Sequence, residues 1–234
     1  MRLDKFISKA TELSRKDAKR ILHAGEISVN GEVIKDGSFH INEAEDEVDW
    51  AGESLSVATG NRYILLHKPE GFECTLKPKE YPMVTELIAV PEVASLRMAG
   101  RLDVDTTGAL LLSDDGAWLH RVTSPKRHQP KVYELTLADP MDENAQAVAI
   151  KEVARGILLD GDQEKTRPAT LSFSDPTHAT LTLTEGKYHQ VKRMMGYFGN
   201  KVIALHRASI GTITLDGLEK GESRFLSEEE IAQF

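Results

Sequence analysis

The sequence predicts a two-part α+β protein, with a small helix-and-strand domain over residues 1–57, a linker at 58–61 and a larger mixed sheet over 62–234. Three observations carry this. Strand and helix periodicities alternate along the chain, with strands in the majority. The turns between strand segments are of the short hairpin kind, so the sheet is mostly antiparallel. The 234 residues are enough for one medium domain and a small one.

The elements follow in order. Leu3, Phe6 and Ile7 share one face of a first short helix. Ser14-Arg15-Lys16-Asp17 is a hydroxyl N-cap with a carboxylate three residues on, which satisfies free N–H groups at a helix start. Ala18, Ile21 and Leu22 continue that helix and Gly25 stops it. The period then drops to two in Ile27-Ser28-Val29, and Asn30-Gly31 leads into Val33-Ile34, a hairpin signal because both turn residues tolerate positive φ. Ala51 to Asn61 is short of large apolar residues and reads as the interdomain connection, with 58–61 as the linker proper. Beyond it, Tyr63–Leu66 and Leu110–Leu112 are buried strands, and Ala117–Val122 is a short helix ended by Ser124-Pro125. Val132–Leu137 is a strand, and Asp142–Ala154 a helix capped by Gly156. Ala169–Phe173 pairs with Ala179–Leu183. Tyr188–Phe198 is a helix ending at Gly199, and Val202–Leu205 and Ile210–Leu215 complete the set.

No run of about 18 apolar residues spans a membrane, and the N-terminus lacks the apolar stretch of a secretory signal. One cysteine, Cys74, allows neither an internal disulfide nor a thiolate cluster. A cytoplasmic monomer without membrane contact is the expectation. The net charge of −8 speaks against nucleic acid, but its distribution does not. Residues 1–35 carry eight Lys/Arg against five acids, whereas residues 36–60 carry seven acids and no Lys or Arg. Ala117–Tyr133 contains Arg121, Lys126, Arg127 and Lys131 and no acid, and Gly186–Leu215 is acid-free as well. Phosphate binding needs local positive potential, not a positive total.

Three segments hold candidate chemistry. Gly100-Arg101-Leu102-Asp103-Val104-Asp105-Thr106-Thr107-Gly108 brackets two carboxylates between glycines, a loop able to present a carboxylate at a cleft; a tight turn satisfying its own backbone uses the same residues. Lys131-Val132-Tyr133-Glu134 sets a ring early in a strand, where it can stack on a base or fill a core. In Tyr188–Phe198, Val191, Met194, Met195 and Phe198 form the core face, and Lys192 and Arg193 begin its flanks.

Together with Leu66-His67-Lys68-Pro69-Glu70-Gly71 and Leu205, these segments resemble the pseudouridine synthases. Gly100–Gly108 is similar to the family's catalytic loop, Tyr133 to its aromatic position and Tyr188–Met194 to its last motif. His67 departs from the Asn common in the first motif. Residues 1–57 resemble an S4-type RNA-binding domain through Arg2-Leu3-Asp4-Lys5, Ser14–Ala18, Gly25–Gly31 and Asp46-Glu47-Val48. Thr123-Ser124-Pro125 and Lys192 lean towards the branch that modifies small-subunit ribosomal RNA. The resemblance implies an S4-like domain followed by a pseudouridine synthase catalytic domain that isomerises a uridine of 16S rRNA, free or in an assembling subunit. A uridine of 23S rRNA is the alternative. It implies Asp103 as nucleophile, Lys192 as its partner and Tyr133 as the ring over the flipped base, with no cofactor and no metal. Arg2, Lys5, Arg15, Lys16, Lys19, Arg20, Arg101, Lys126, Arg127, Lys131 and Arg193 are the expected RNA contacts, although Arg101 has an internal salt bridge to Asp105 as an equal reading.

Two rival readings exist. Asp103-Val104-Asp105-Thr106 superficially fits the nucleophile motif of haloacid-dehalogenase phosphatases, with Asp114-Asp115 as a metal pair; that chemistry needs the first Asp at the end of an apolar parallel strand and distant Mg²⁺ ligands. A non-catalytic RNA-binding protein explains the basic stretches but gives no reason for the Asp103 loop.

Overall fold

The computed structural model describes every residue except 12, 44, 57–59, 78–79, 125–126 and 128; Lys126 and Pro125 therefore lie outside the described residues, as do residues 58 and 59 of the expected linker. The fold class is α+β. The chain divides into two compact units, Met1–Gly60 with Ala89–Ser95, and Asn61–Ile88 with Leu96–Phe234.

In the first unit, helices α1 (Leu3–Ala10) and α2 (Arg15–Ala24) accompany a four-stranded antiparallel sheet. Its strands are β1 (Ile27–Val29), β2 (Glu32–Val33), β3 (Val48–Trp50) and β4 (Glu53–Leu55), in the order β2-β1-β3-β4. The Ser14 hydroxyl accepts from the Asp17 amide at 3.2 Å and so caps α2. Asn30 (φ 52°) and Gly31 (φ 82°) supply the two left-handed residues of the β1–β2 turn. Leu3, Phe6, Ile7, Ile21 and Leu22 from the helices pack with Ile27, Val29 and Val48, each full burial contributing roughly 1.5–3 kcal/mol. The stretch after Ala51 is not all connector: β4 pairs with β3. Glu53 and Ser54 are exposed on an edge strand, so the segment has no apolar alternation to betray it.

The second unit is built on one mixed sheet. Its strands are β5 (Tyr63–Lys68), β6 (Arg97–Met98), β7 (Thr106–Ser113), β8 (Lys131–Leu137), β9 (Thr170–Phe173), β10 (His178–Leu183), β11 (Val202–Ile210), β12 (Ile213–Thr214) and β13 (Ser223–Phe225). The main order is β13-β5-β7-β11-β8-β10-β9, with β12 on β11 and β6 on β7. Among the strands of the described residues, only β7 and β11 pair in parallel. The helices are α3 (Gly116–Thr123), α4 (Glu143–Arg155), α5 (Gln190–Tyr197) and α6 (Glu228–Ala232). All eight residues of β7 are buried, which explains its unbroken apolar centre in the sequence. On one face of the sheet Leu65, Ala109 and Leu111 pack with Trp118, Val122 and Phe234. β7 pairs with β11 only over Thr106–Gly108. A Cβ on Gly108 (φ 111°) would stand 2.2 Å from the Arg207 carbonyl oxygen, so only glycine permits this approach.

Three departures from the expected elements have physical causes. β11 runs on past Leu205 to Ile210, with register shifts after Val202 and after Arg207; these irregularities and the polar His206-Arg207 pair hide its period. α5 begins at Gln190, not Tyr188, because His189 is left-handed (φ 47°). β13 and α6 are too short to carry a period, and the Arg224–Glu230 ion pair at 2.7 Å links them.

Candidate active site

The carboxylate loop sits immediately before β7. The Thr106 amide donates to the Asp103 carbonyl at 3.1 Å and closes a tight turn. Lys68, fully buried, fastens that turn from beneath. Its ammonium donates to the carbonyls of Thr106 (2.8 Å), Pro69 (2.9 Å) and Val104 (3.3 Å). Burial pushes the Lys68 pKa down, against the raising influence of Cys74, Asp105 and Asp103. The Gly71 amide also reaches the Val104 carbonyl at 2.9 Å, so the first-motif segment acts as the loop's scaffold. His67, the departure from the common Asn, places Nδ1 2.7 Å from the Leu218 carbonyl.

Helix α5 delivers the cation. Lys192 Nζ lies 2.7 and 2.9 Å from the two carboxylate oxygens of Asp105 and 3.2 Å from Asp103 Oδ2. The ammonium is thus shared, and held more closely by Asp105. His189 Nε2 is 3.2 Å from the other oxygen, Asp103 Oδ1. Burial alone would lower the Lys192 pKa, but hydrogen bonds to Asp105 and Asp103 raise it above the ordinary lysine value. For Asp105 burial works to raise the pKa, and the Lys192 contact overrides it, leaving a net lowering. The Asp103 side chain keeps 33% exposure, enough for a reactant to reach it. Sequence reasoning set Asp105 against Arg101 and not against Lys192, and it did not single out His189. The available signal for His189 is its place three residues before Lys192, at the start of the same predicted helix.

Strand β11 relates this loop to the aromatic candidate. Thr106, Leu205 and Leu135 form one register row across β7, β11 and β8, and Gly108, Arg207 and Tyr133 form the parallel row. With strands roughly 4.8 Å apart, β7 and β8 are about 10 Å from each other. Tyr133 is 9% exposed, and its hydroxyl faces Arg207 Nη1 at 3.5 Å. Arg207 itself is 2% exposed.

The remaining expected RNA contacts fall into distinct groups. Arg101 is exposed and forms no ion pair among the described residues; Lys192 already occupies Asp105, so the alternative Arg101–Asp105 bridge is not made. Arg127 is exposed as well. Arg193, expected at an RNA face, instead bonds to Asp162 Oδ1 (2.6 Å) and to the Asp160 carbonyl (2.7 Å), which braces the start of α5. Lys131 is half-buried and donates to the Gln129 carbonyl at 3.2 Å. Burial and the neighbouring Arg207 charge push its pKa down to about 8. In the first unit Arg2, Arg15 and Lys19 all turn to the buried Asp4, at 2.9, 2.9 and 4.0 Å. Arg20 stands 3.9 Å from Asp17. Lys5 and Lys16 are exposed without an ion pair among the described residues.

The phosphatase reading loses its metal pair. Asp114 accepts from the Arg62 amide and guanidinium (2.7 and 2.9 Å). Asp115 caps α3 by accepting from Ala117 and Trp118. Asp103 also precedes β7 and does not end a strand.

Comparison with known proteins agrees with this layout. Residues 62–197 match the family described as RNA pseudouridylate synthase, and residues 1–48 match the S4 domain. The chain is 48% identical over 233 residues to the ribosomal small subunit pseudouridine synthase A of Vibrio cholerae, covering 99% of this chain and 98% of that one. It is 46% identical over 235 residues to the protein of the same name from Pasteurella multocida, covering 100% and 99%. A crystal structure of a pseudouridylate synthase superposes with a TM-score of 0.68 at 45% identity, covering 99% of this chain and 98% of that one.

Proposed function

This chain belongs to the RNA pseudouridylate synthase family and is an RNA isomerase, and from that premise we propose that it converts one uridine of small-subunit (16S) ribosomal RNA to pseudouridine. The names of its full-length relatives support that substrate. The observation that carries the chemistry is the Asp103 carboxylate, one-third exposed on a turn anchored by Lys68 and flanked by Lys192 and His189.

The reaction breaks the C1′–N1 bond, turns the uracil and joins C5 to C1′, with loss of the C5 proton and no redox step. A target base in folded RNA has to leave its stack, at a cost of a few kcal/mol. Stacking on the Tyr133 ring returns about 1–3 kcal/mol. Asp103 is the nucleophile. The 3.2 Å contact to Lys192, longer than the contacts to Asp105, orients its oxygen and leaves it less tightly held for attack. Phosphate contacts come from exposed cations such as Lys5, Lys16, Arg101 and Arg127.

The test is tritium release from C5-tritiated uridine in ribosomal RNA, with no added nucleotide. The wild-type protein releases tritium from small-subunit RNA and not from large-subunit RNA. Asp103→Asn drops release by about 10³-fold or more while RNA affinity stays within a few-fold. Binding without release by the wild type leaves the non-catalytic reading standing, and turnover by Asp103→Asn removes the role given to that residue.

A further inference from the structure

The turn that leads into α5 is held more firmly than a surface turn requires. Gln190, buried, spans it: its side-chain oxygen accepts from the Lys187 amide at 2.8 Å, and its side-chain nitrogen donates to Glu185 Oε1 at 2.7 Å. Asp162 accepts from both flanks, from Lys187 Nζ at 2.7 Å and from Arg193 Nη2 at 2.6 Å. Arg193 Nη1 also donates to the Tyr188 carbonyl at 3.2 Å. His189 takes a left-handed backbone conformation (φ 47°), which costs a residue with a side chain energy and persists only where the surroundings enforce it.

What these contacts hold in place is a pair of rings. Tyr188 and His189 stack with centroids 3.8 Å apart and planes 22° from parallel. His189 turns Nε2 to Asp103 Oδ1 at 3.2 Å. The imidazole is thus the ring that touches the carboxylate, and the phenol ring stands one stacking layer away. Tyr188 rests one face on His189 and is otherwise in water, 71% exposed, and its hydroxyl forms no hydrogen bond among the described residues.

A scattered exposed aromatic is ordinary on a protein surface. A ring that is both exposed and fixed, beside a reactive carboxylate, is different. It buries too little area to add much to folding, and a ring already held still loses little further freedom when a planar group lands on it. Turning the target uridine out of its stack leaves the bases on either side short of a partner. An aromatic ring can take that partner's place for any base, because every base has a π-face. One stacking layer is also the step between neighbouring bases in a strand, so a base held at Asp103 meets His189 while the next nucleotide meets Tyr188. Resting on the reading that a uridine is everted against Asp103, we propose that Tyr188, seated on His189, is a stacking subsite for the nucleotide adjacent to the target, separate from the Tyr133 ring over the uracil itself.

The test combines tritium release from a small-subunit RNA fragment, its modified uridine mapped beforehand, with direct binding measured by fluorescence anisotropy. Tyr188→Ala raises KM and Kd roughly 5–150-fold, while the single-turnover rate at saturating RNA stays within a few-fold of wild type. Tyr188→Phe recovers most of the affinity, since the hydroxyl has no partner to lose, and Tyr188→Leu, apolar but not flat, does not. Two further RNAs carry an abasic nucleotide immediately 5′ or 3′ of the target. On one of them wild type binds as weakly as Tyr188→Ala binds intact RNA, and Tyr188→Ala loses nothing more. An unchanged melting temperature separates a lost contact from a lost fold. The inference is overturned if Tyr188→Ala keeps the wild-type Kd, if leucine serves as well as phenylalanine, or if the alanine penalty is as large on both abasic RNAs as on intact RNA. A loss confined to the saturated rate also overturns it, because the ring then acts on the reacting uridine. Wild-type protein that releases no tritium from any ribosomal RNA removes the proposed function and this inference with it. A working wild type beside an unimpaired Tyr188→Ala removes only the inference.

Discussion

In the small unit one buried carboxylate, Asp4, meets three cations, whereas in the larger unit one ammonium, Lys192, meets two carboxylates. Asp4 has no exposed side-chain surface, and Arg2 and Arg15 approach it at 2.9 Å. Hydrogen bonds from Arg2, then from Arg15, hold its pKa below the ordinary carboxylate value despite the opposing effect of burial. Such a cluster is over-supplied with positive charge, so it fixes α1 to α2 and still projects cations outward. The Lys192 cluster is under-supplied. Two acids compete for one ammonium, and Asp103 has the longer contact to it at 3.2 Å. The stoichiometry separates a carboxylate that holds structure together from one that stays available.

Breaking the under-supplied cluster has the larger effect. Lys192→Met leaves Asp103 and Asp105 without their shared cation. The nucleophile loses the ammonium contact that orients it. The expected fall in single-turnover rate is about 10²–10³-fold, with little change in RNA affinity. Lys192→Arg recovers much of it. A Lys192→Met enzyme within threefold of wild type would show that Asp103 needs no shared cation.

Breaking the over-supplied cluster works on stability and binding. Asp4→Asn leaves three cations facing each other around a neutral amide and costs about 1–3 kcal/mol of folding stability. Because the folded Asp4 pKa is depressed, its contribution is present at neutral pH and fades as pH falls through the carboxylate range. The wild-type advantage over Asp4→Asn in chemical unfolding therefore shrinks on acidification. The rate at saturating RNA stays near wild type. A rate loss as large as that of Lys192→Met would erase the distinction between the two clusters.

The sequence speaks clearly wherever an element is decided by its own neighbours. Ser14 with Asp17, Asn30-Gly31 and Asp142 ahead of α4 are local signals, and the structure uses each at that place. Elements held by distant partners are silent: α6 and β13 depend on Arg224–Glu230, and β4 on its edge pairing to β3. The site divides the same way. Asp103 and Lys192 are 89 residues apart in sequence, and only resemblance to a family brings them together beforehand. A cation in the sequence does not declare what answers it. Arg193 is spent on Asp162, Arg2 and Arg15 on Asp4, and Arg207 on no acid among the described residues. Those differences exist only in three dimensions.

Lys131 gives the smallest and most specific comparison, a half-buried cation beside Arg207 with no acid bonded to it among the described residues. Its folded pKa of about 8 lies below the ordinary value of 10.5. Between those values the unfolded chain holds a proton that the folded protein has released, so stability rises with pH across that window. Below pH 8 the folded state carries the burden of a poorly solvated charge. Lys131→Met removes it and stabilises the protein at pH 7 by about 1–2 kcal/mol, after allowing for solvent screening. The advantage of the variant narrows as pH approaches 10, where the wild-type ammonium is already neutral in the fold. Urea unfolding of both proteins at pH 7, 8.5 and 10 measures that gap. A gap that stays constant would mean that the methionine acts through packing alone and that the charge beside Arg207 costs nothing.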